Sequence, residues 1–259
     1  MKLLLKRDLR SVIEFPRLEL IILPTLLIFV VLSQIIAWGW WGADSIADRP
    51  QILIQAIIDA SRLIFTYPVV IVFIPMIIAD IITNEYEKGT MLMLVSYPVK
   101  RSEILVSKFA SVLSVSWIVI FFTSLAGILV VYKNHAMLPP LVLVLALLIS
   151  TGILCFFVCS VSTLISTIAS HTVVAAMSSL AVLLLWPMIV NVFSWQLKLP
   201  HLMALSYTGS VPELIDLLTL KLGRSEIPVT SLGSVIMQIL LASFFLFLSN
   251  IVLNRKEFK

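Results

Sequence analysis

The longest uncharged stretch of the chain runs from Asn134 to Leu197, if the histidines within it are neutral. As one α-helix rising 1.5 Å per residue it would be about 95 Å long. The hydrocarbon core of a membrane is only ~30 Å thick. The stretch therefore predicts a hairpin of two spans. Its most polar interruption lies between Ser166 and Thr172, and we place the turn there.

The rest of the chain is almost as apolar. Hydrophobic residues make up 60% of the 259 positions and the mean hydropathy is +1.11, well above the globular norm. Together with the hairpin, four further apolar segments predict six transmembrane helices in one all-α integral membrane domain covering residues 1–259. We place these four segments at residues 20–43, 63–83, 109–132 and 231–253.

Two amphipathic segments flank the spans. Residues 1–17 carry five basic side chains, with Leu5, Leu9 and Val12 at helical spacing, which predicts an N-terminal interfacial helix. A cleaved signal peptide is excluded because the apolar segment that follows is too long. Residues 196–230 mix charges with regularly spaced leucines, which predicts a short helix between spans five and six.

Basic residues decide which side is cytoplasmic. Six spans place both termini on one side, together with the loop between spans two and three. That side carries twelve of the 18 Lys and Arg residues and the other carries six. By the positive-inside rule the termini and this loop are cytoplasmic and the loop at 196–230 is extracellular. A net charge of +4 distributed in this way indicates contact with membrane lipid and not with nucleic acid.

The loop between spans two and three, residues 84–108, is the longest charged segment inside the apolar chain, and we call it the island. A cluster of acidic and basic residues comes first, and the glycine and threonine after it supply a break and a helix N-cap. An apolar run follows, and a proline stops that run. The arrangement predicts a short helix with an exposed apolar face, which would be stable only when docked on a partner. In order, these features are Glu85, Glu87, Lys88, Gly89, Thr90, Met91, Leu92, Leu94, Val95, Pro98, Lys100 and Arg101.

This pattern resembles the loop between spans two and three of ABC-2-type transporter permeases. The residues that carry the resemblance are Glu85, Gly89, Thr90, Leu94, Pro98, Val99, Arg101, Ile104, Leu105 and Lys108. The resemblance implies that the island is a coupling helix that sits on a cytoplasmic ATPase. It assigns the coupling role to Glu85, Glu87, Lys88, Gly89, Thr90, Met91, Leu94, Pro98 and Arg101.

The resemblance also implies the partners. Two copies of the permease, or one copy and a close relative, would pair in the cell membrane and bind two ATPase subunits, which hold the ATP and Mg²⁺. The direction implied is export. No cofactor is expected in this chain itself, because it has no Gly-Lys pair and so no phosphate-binding P-loop.

Polar residues within the spans are candidates for a translocation path. They are Gln34, Thr66, Tyr67 and Asn191; each could equally hydrogen-bond between helices. Ile120, in contrast, is expected to face lipid. Asp80 lies near the cytoplasmic edge, where pairing with a basic residue or exposure to headgroups is favoured over a transport role.

Three other interpretations remain open. A metal site at Cys155 and Cys159, four residues apart on one helix face, competes with simple packing, which we favour. An intramembrane protease would need a nucleophile and a base at membrane depth, and His171 is the one histidine in the spans, at the predicted turn. An assembly subunit would use the island only to recruit a partner.

Overall fold

The computed structural model describes residues 2–13, 69–89, 100–134, 141–196 and 229–255, and these are helical apart from short turns. The helices are α1 (Lys2–Ile13), α2 (Val69–Glu87), α3 (Arg101–Asn134), α4 (Leu141–Ile168), α5 (Thr172–Gln196) and α6 (Val229–Arg255).

Four segments of these helices are long and apolar enough to cross a membrane: Arg101–Phe122, Leu148–Ile168, Thr172–Gln196 and Val235–Arg255. They overlap the third to sixth predicted spans. The predicted second span corresponds in part to α2. The first predicted span and most of the loop at 196–230 lie outside the described residues.

The predicted hairpin turn is confirmed. Helix α4 ends at Ile168 and α5 begins at Thr172, so the break falls on Ala169, Ser170 and His171. The short polar residues there compete for the backbone's hydrogen bonds and so favour a turn over continued helix.

Proline does not end α2 or α5, which continue through Pro75 and Pro187.

Helix α4 is the centre of the packing, in contact with α2, α3, α5 and α6. Small residues allow its neighbours to approach closely. At Gly152 an added Cβ would lie 3.2 Å from the indole of Trp117 on α3, whose Nε1 donates to the carbonyl oxygen of Leu148 at 3.0 Å. Both cysteines pack in the same core, completely buried.

Helices α5 and α6 are much less enclosed. Within the chain, 22% of the spanning part of α5 and 17% of that of α6 are buried, against 61% for α3 and α4. Their outer faces carry large apolar side chains suited to lipid or to another membrane subunit.

The expectation that Ile120 on α3 faces lipid was wrong, because it is 1% exposed in the core, while its neighbours Ile118 and Phe122 point outward.

Candidate functional site

The two ends of the island are joined by a buried ion pair. Lys108 on α3 is 1% exposed, and its Nζ lies 2.7 Å from Oε1 of Glu85 on α2. The same ammonium donates to the carbonyl oxygen of Ile81 at 3.0 Å. A cation is favoured near a helix C-terminus, where carbonyl oxygens carry partial negative charge. Lys108 therefore holds the C-terminal end of α2 against α3.

Ser107, the residue before Lys108, binds the N-terminal helix α1 to α3. Ser107 donates its hydroxyl to Oδ2 of Asp8 at 2.8 Å, and Asp8 is 3% exposed. Arg7 completes the contact with an ion pair of 2.9 Å to Oδ1 of the same carboxylate. Helix α1 is thus docked on α3, with Val12 in the hydrophobic core.

A third contact ties α2 to α4. The hydroxyl of Thr83 donates to the carbonyl oxygen of Ser166 at 3.1 Å, and both residues are fully buried. That carbonyl lies in the last turn of α4, where helical acceptors lack partners of their own. The contact aligns the C-terminal ends of α2 and α4 at the same end of the bundle.

The fourth contact reaches α5. Oε2 of Glu87 accepts hydrogen bonds from the backbone N–H of Thr172 at 3.1 Å and from its hydroxyl at 2.8 Å. Oε1 lies 3.5 Å from Nδ1 of His171. The carbonyl of His171 accepts the hydrogen bond from Ala175 N at 2.9 Å, which makes His171 the N-cap position. The side chain that caps this helix end is therefore the Glu87 carboxylate of α2, and not the side chain at the N-cap position, His171.

These hydrogen bonds shift the ionisation of Glu87. The N–H of Thr172, then its hydroxyl, lower the pKa of the carboxyl below its usual 4.5, because they favour the charged acceptor. A lowered pKa in the folded state means that the stabilisation is present above the unfolded-state pKa and is lost as the pH falls through the folded value. The cap is therefore intact at neutral pH.

The chain leaves α2 immediately after Glu87. Gly89 has φ of +70°, the left-handed conformation in which a residue with a Cβ is strained. Its N–H bonds to the carbonyl of Tyr86 at 3.1 Å, which closes the last turn of the helix. The predicted break at Gly89 is thereby confirmed, and Glu87 and Lys88 connect α2 to the remainder of the island.

The described residues include part of the predicted coupling set. Glu85 and Glu87 make the contacts above, Lys88 is exposed in the turn, and Arg101 is the first residue of α3. The other coupling residues lie outside the described residues: Thr90, Met91, Leu94 and Pro98.

Of the predicted path residues, one can be placed. Asn191 lies on the exposed side of α5, whereas Gln34, Thr66 and Tyr67 are outside the described residues. Asp80 accepts a hydrogen bond from Asn84 on its own helix at 2.6 Å. Among the described residues, no group of three or more His, Cys, Asp or Glu side chains is placed to hold a metal ion.

Sequence reasoning missed the partners of the island's charges. The sequence placed Lys108 in the pattern that resembles the family, but it gave no partner for its charge. It placed Asp8 in the interfacial helix and Thr172 at the end of the predicted turn, also without partners. A signal was present for Lys108, since an ionisable residue close to an apolar span needs a partner. Nothing in the spacing pointed from Glu87 to Thr172, which are 85 residues apart.

Comparison with known protein families shows to which family this chain belongs. A sequence model described as ABC-2 family transporter protein matches residues 30–222, about three quarters of the chain. The chain belongs to this family. A comparison with curated protein sequences gave no match. The match includes the island and α2 to α5, so in this ABC-2 transporter protein the contacts of Lys108, Thr83 and Glu87 all lie in the matched region.

Proposed function

We propose that the chain is the permease subunit of an ATP-binding-cassette transporter driven by a separate ATPase. Family membership over residues 30–222 carries the proposal. The ATPase binds ATP and Mg²⁺ and docks on the island, while the permease provides the path and is not itself an enzyme. The contacts made by Glu85, Glu87 and Lys108 support this role, because they join the island's ends to α2, α3 and α5.

The full assembly we propose has six spans per permease and two permeases, identical or closely related, with two ATPase subunits. Its termini and island are cytoplasmic, and the loop at 196–230, with its short helix, is extracellular. The large outward apolar faces of α5 and α6 support contact with lipid and with a second permease. The spans carry few charges, which favours an amphipathic, lipid-like or peptide cargo, and we propose export as the direction.

Copurification tests this function. The tagged chain, extracted from its native membrane in mild detergent, is expected to bring with it an ATPase carrying a P-loop, in roughly equal amount. The complex should hydrolyse ATP, and mutation of the P-loop lysine in the partner should abolish that activity. A permease that purifies without any ATPase under several extraction conditions would contradict the proposal.

Cysteine labelling tests the sidedness. Single cysteines replacing Lys100 and Lys256 should be shielded from an impermeant thiol reagent in intact cells, and a cysteine replacing Lys221 should react. The native Cys155 and Cys159 can stay in place, since both are 0% exposed. Opening the cells should make the Lys100 position reactive, which controls for burial. Labelling at Lys100 from outside would refute the cytoplasmic island.

A further inference from the structure

The contacts around the island differ in how easily they can break. Lys108 and Thr83 are 1% and 0% exposed, so water cannot replace their partners without opening the core. Glu87 is different, with a side chain 44% exposed beside a His171 side chain that is 67% exposed. Water can replace the hydrogen bonds of an exposed carboxylate at little loss. The contact between Glu87 and Thr172 is therefore the one suited to form and break during a cycle.

The element held by this contact is also one of the two least enclosed helices among the described residues. Helix α5 packs chiefly on α2 and α4 through a narrow line of buried residues that includes Ala175, Ser179 and Leu183. Only 22% of its spanning part is buried within the chain. Its first turn has Glu87 as the acceptor for the Thr172 N–H, one of the donors that a helix cannot satisfy internally. Displacing Glu87 would leave that turn without its cap.

Glu87 also lies close to the point where the chain leaves α2. It is the last residue of α2 and lies two residues before Gly89, where the island leaves the helix. A push on the island reaches Glu87 before it reaches the buried Thr83. An anion at a helix N-terminus is attracted by the helix dipole as well as by hydrogen bonds, so the closed cap holds the C-terminal end of α2 against the first turn of α5.

We propose that Glu87 is the positioning residue through which movement of the island is passed to α5. The carboxylate acts as an intramolecular cap from α2 onto α5, closed in the arrangement of α2 and α5 described here and opened or shifted when the ATPase moves the island. The proposal rests on the proposed function, since it assumes that an ATPase acts on the island. It assigns Glu87 a contact inside the permease, where the sequence suggested only a charge facing the partner.

Hydrogen exchange of the purified permease–ATPase complex tests this proposal. Without nucleotide, Glu87→Ala should speed exchange severalfold in peptides that span Thr172 and the first turn of α5, because this turn loses its cap. Glu87→Gln should keep part of the protection, since its carboxamide oxygen still accepts from the Thr172 N–H. Lys100→Ala, which removes an exposed charge of the island without an assigned coupling role, is the control and should leave exchange in α5 unchanged.

The same variants are then compared with and without a non-hydrolysable ATP analogue and Mg²⁺. In the wild type both the island and the start of α5 should change their exchange when nucleotide binds. In Glu87→Ala the island should still respond and α5 should not, although the ATPase remains bound. Glu87→Gln should restore part of the α5 response, which a purely structural defect would not do.

The outcomes separate the two proposals. An unchanged first turn in Glu87→Ala, or a wild-type response of α5 in that variant, overturns the role of Glu87 and leaves the transporter assignment intact. If the wild-type chain holds no ATPase, or its island does not respond to nucleotide, both the proposed function and the role of Glu87 fail. Loss of response at the island and at α5 together in Glu87→Ala also overturns the role, because the residue would then act on docking.

Discussion

Lys108→Met is expected to destabilise the folded permease by about 3–5 kcal/mol, the usual penalty for removing one partner of a buried ion pair. The ammonium of Lys108 bonds both Glu85, at 2.7 Å, and the carbonyl of Ile81, at 3.0 Å. Methionine fills similar space but leaves both acceptors without this donor. Because the Glu85 side chain keeps 27% exposure and can take up water, the lower end of that range is expected.

Thermal unfolding in detergent, followed by the loss of the monodisperse chromatographic peak, measures this effect. For a chain of this size a loss of 3 kcal/mol corresponds to a fall in Tm of about 6–12 °C. Lys100→Met removes an exposed lysine from the same loop and serves as the control. The double variant Lys108→Met with Glu85→Gln should recover part of the loss, because no uncompensated carboxylate remains. Equal melting of Lys108→Met and Lys100→Met would contradict the ion pair's role.

Much of the described fold was predictable because membrane burial imposes simple rules. The uncharged stretch from Asn134 to Leu197 is too long for one crossing, and the break at Ala169 to His171 falls inside the predicted turn. Gly89 was predicted as a break, and its φ of +70° shows the left-handed backbone that glycine tolerates. Length, charge and glycine are local properties, so one sequence is enough to use them.

What the sequence did not predict is which helix faces pack against each other. Ile120 was expected to face lipid, but an apolar side chain gives no sign of whether lipid or another helix covers it, and here α3 turns it into the core. The two bonds from Thr172 to Glu87 join residues 85 apart and depend on how α2 and α5 pack. Helix packing is set by the shapes of many side chains together, so the spacing of single residues does not reveal such pairs.

Leu94→Asp is expected to release the ATPase from the permease. Leu94 lies in the apolar run of the island, outside the described residues, and we expect its side chain to fill a groove on the partner. Burying one leucine contributes roughly 1.5–3 kcal/mol, so its loss alone weakens binding by about tenfold or more. A carboxylate in an apolar groove adds a further desolvation penalty. Flanking charges such as Lys88 contribute only about 0–1 kcal/mol each when exposed.

The amount of ATPase that copurifies with each tagged permease variant is the most direct test of the account. Leu94→Met conserves the volume and apolar character of the side chain and should retain the ATPase at the wild-type ratio. Leu94→Asp should retain less than about a tenth of it, with the permease itself still folded and in the membrane. An ATPase that stays bound to Leu94→Asp and hydrolyses ATP as in the wild type would contradict the claim that the island is the docking site.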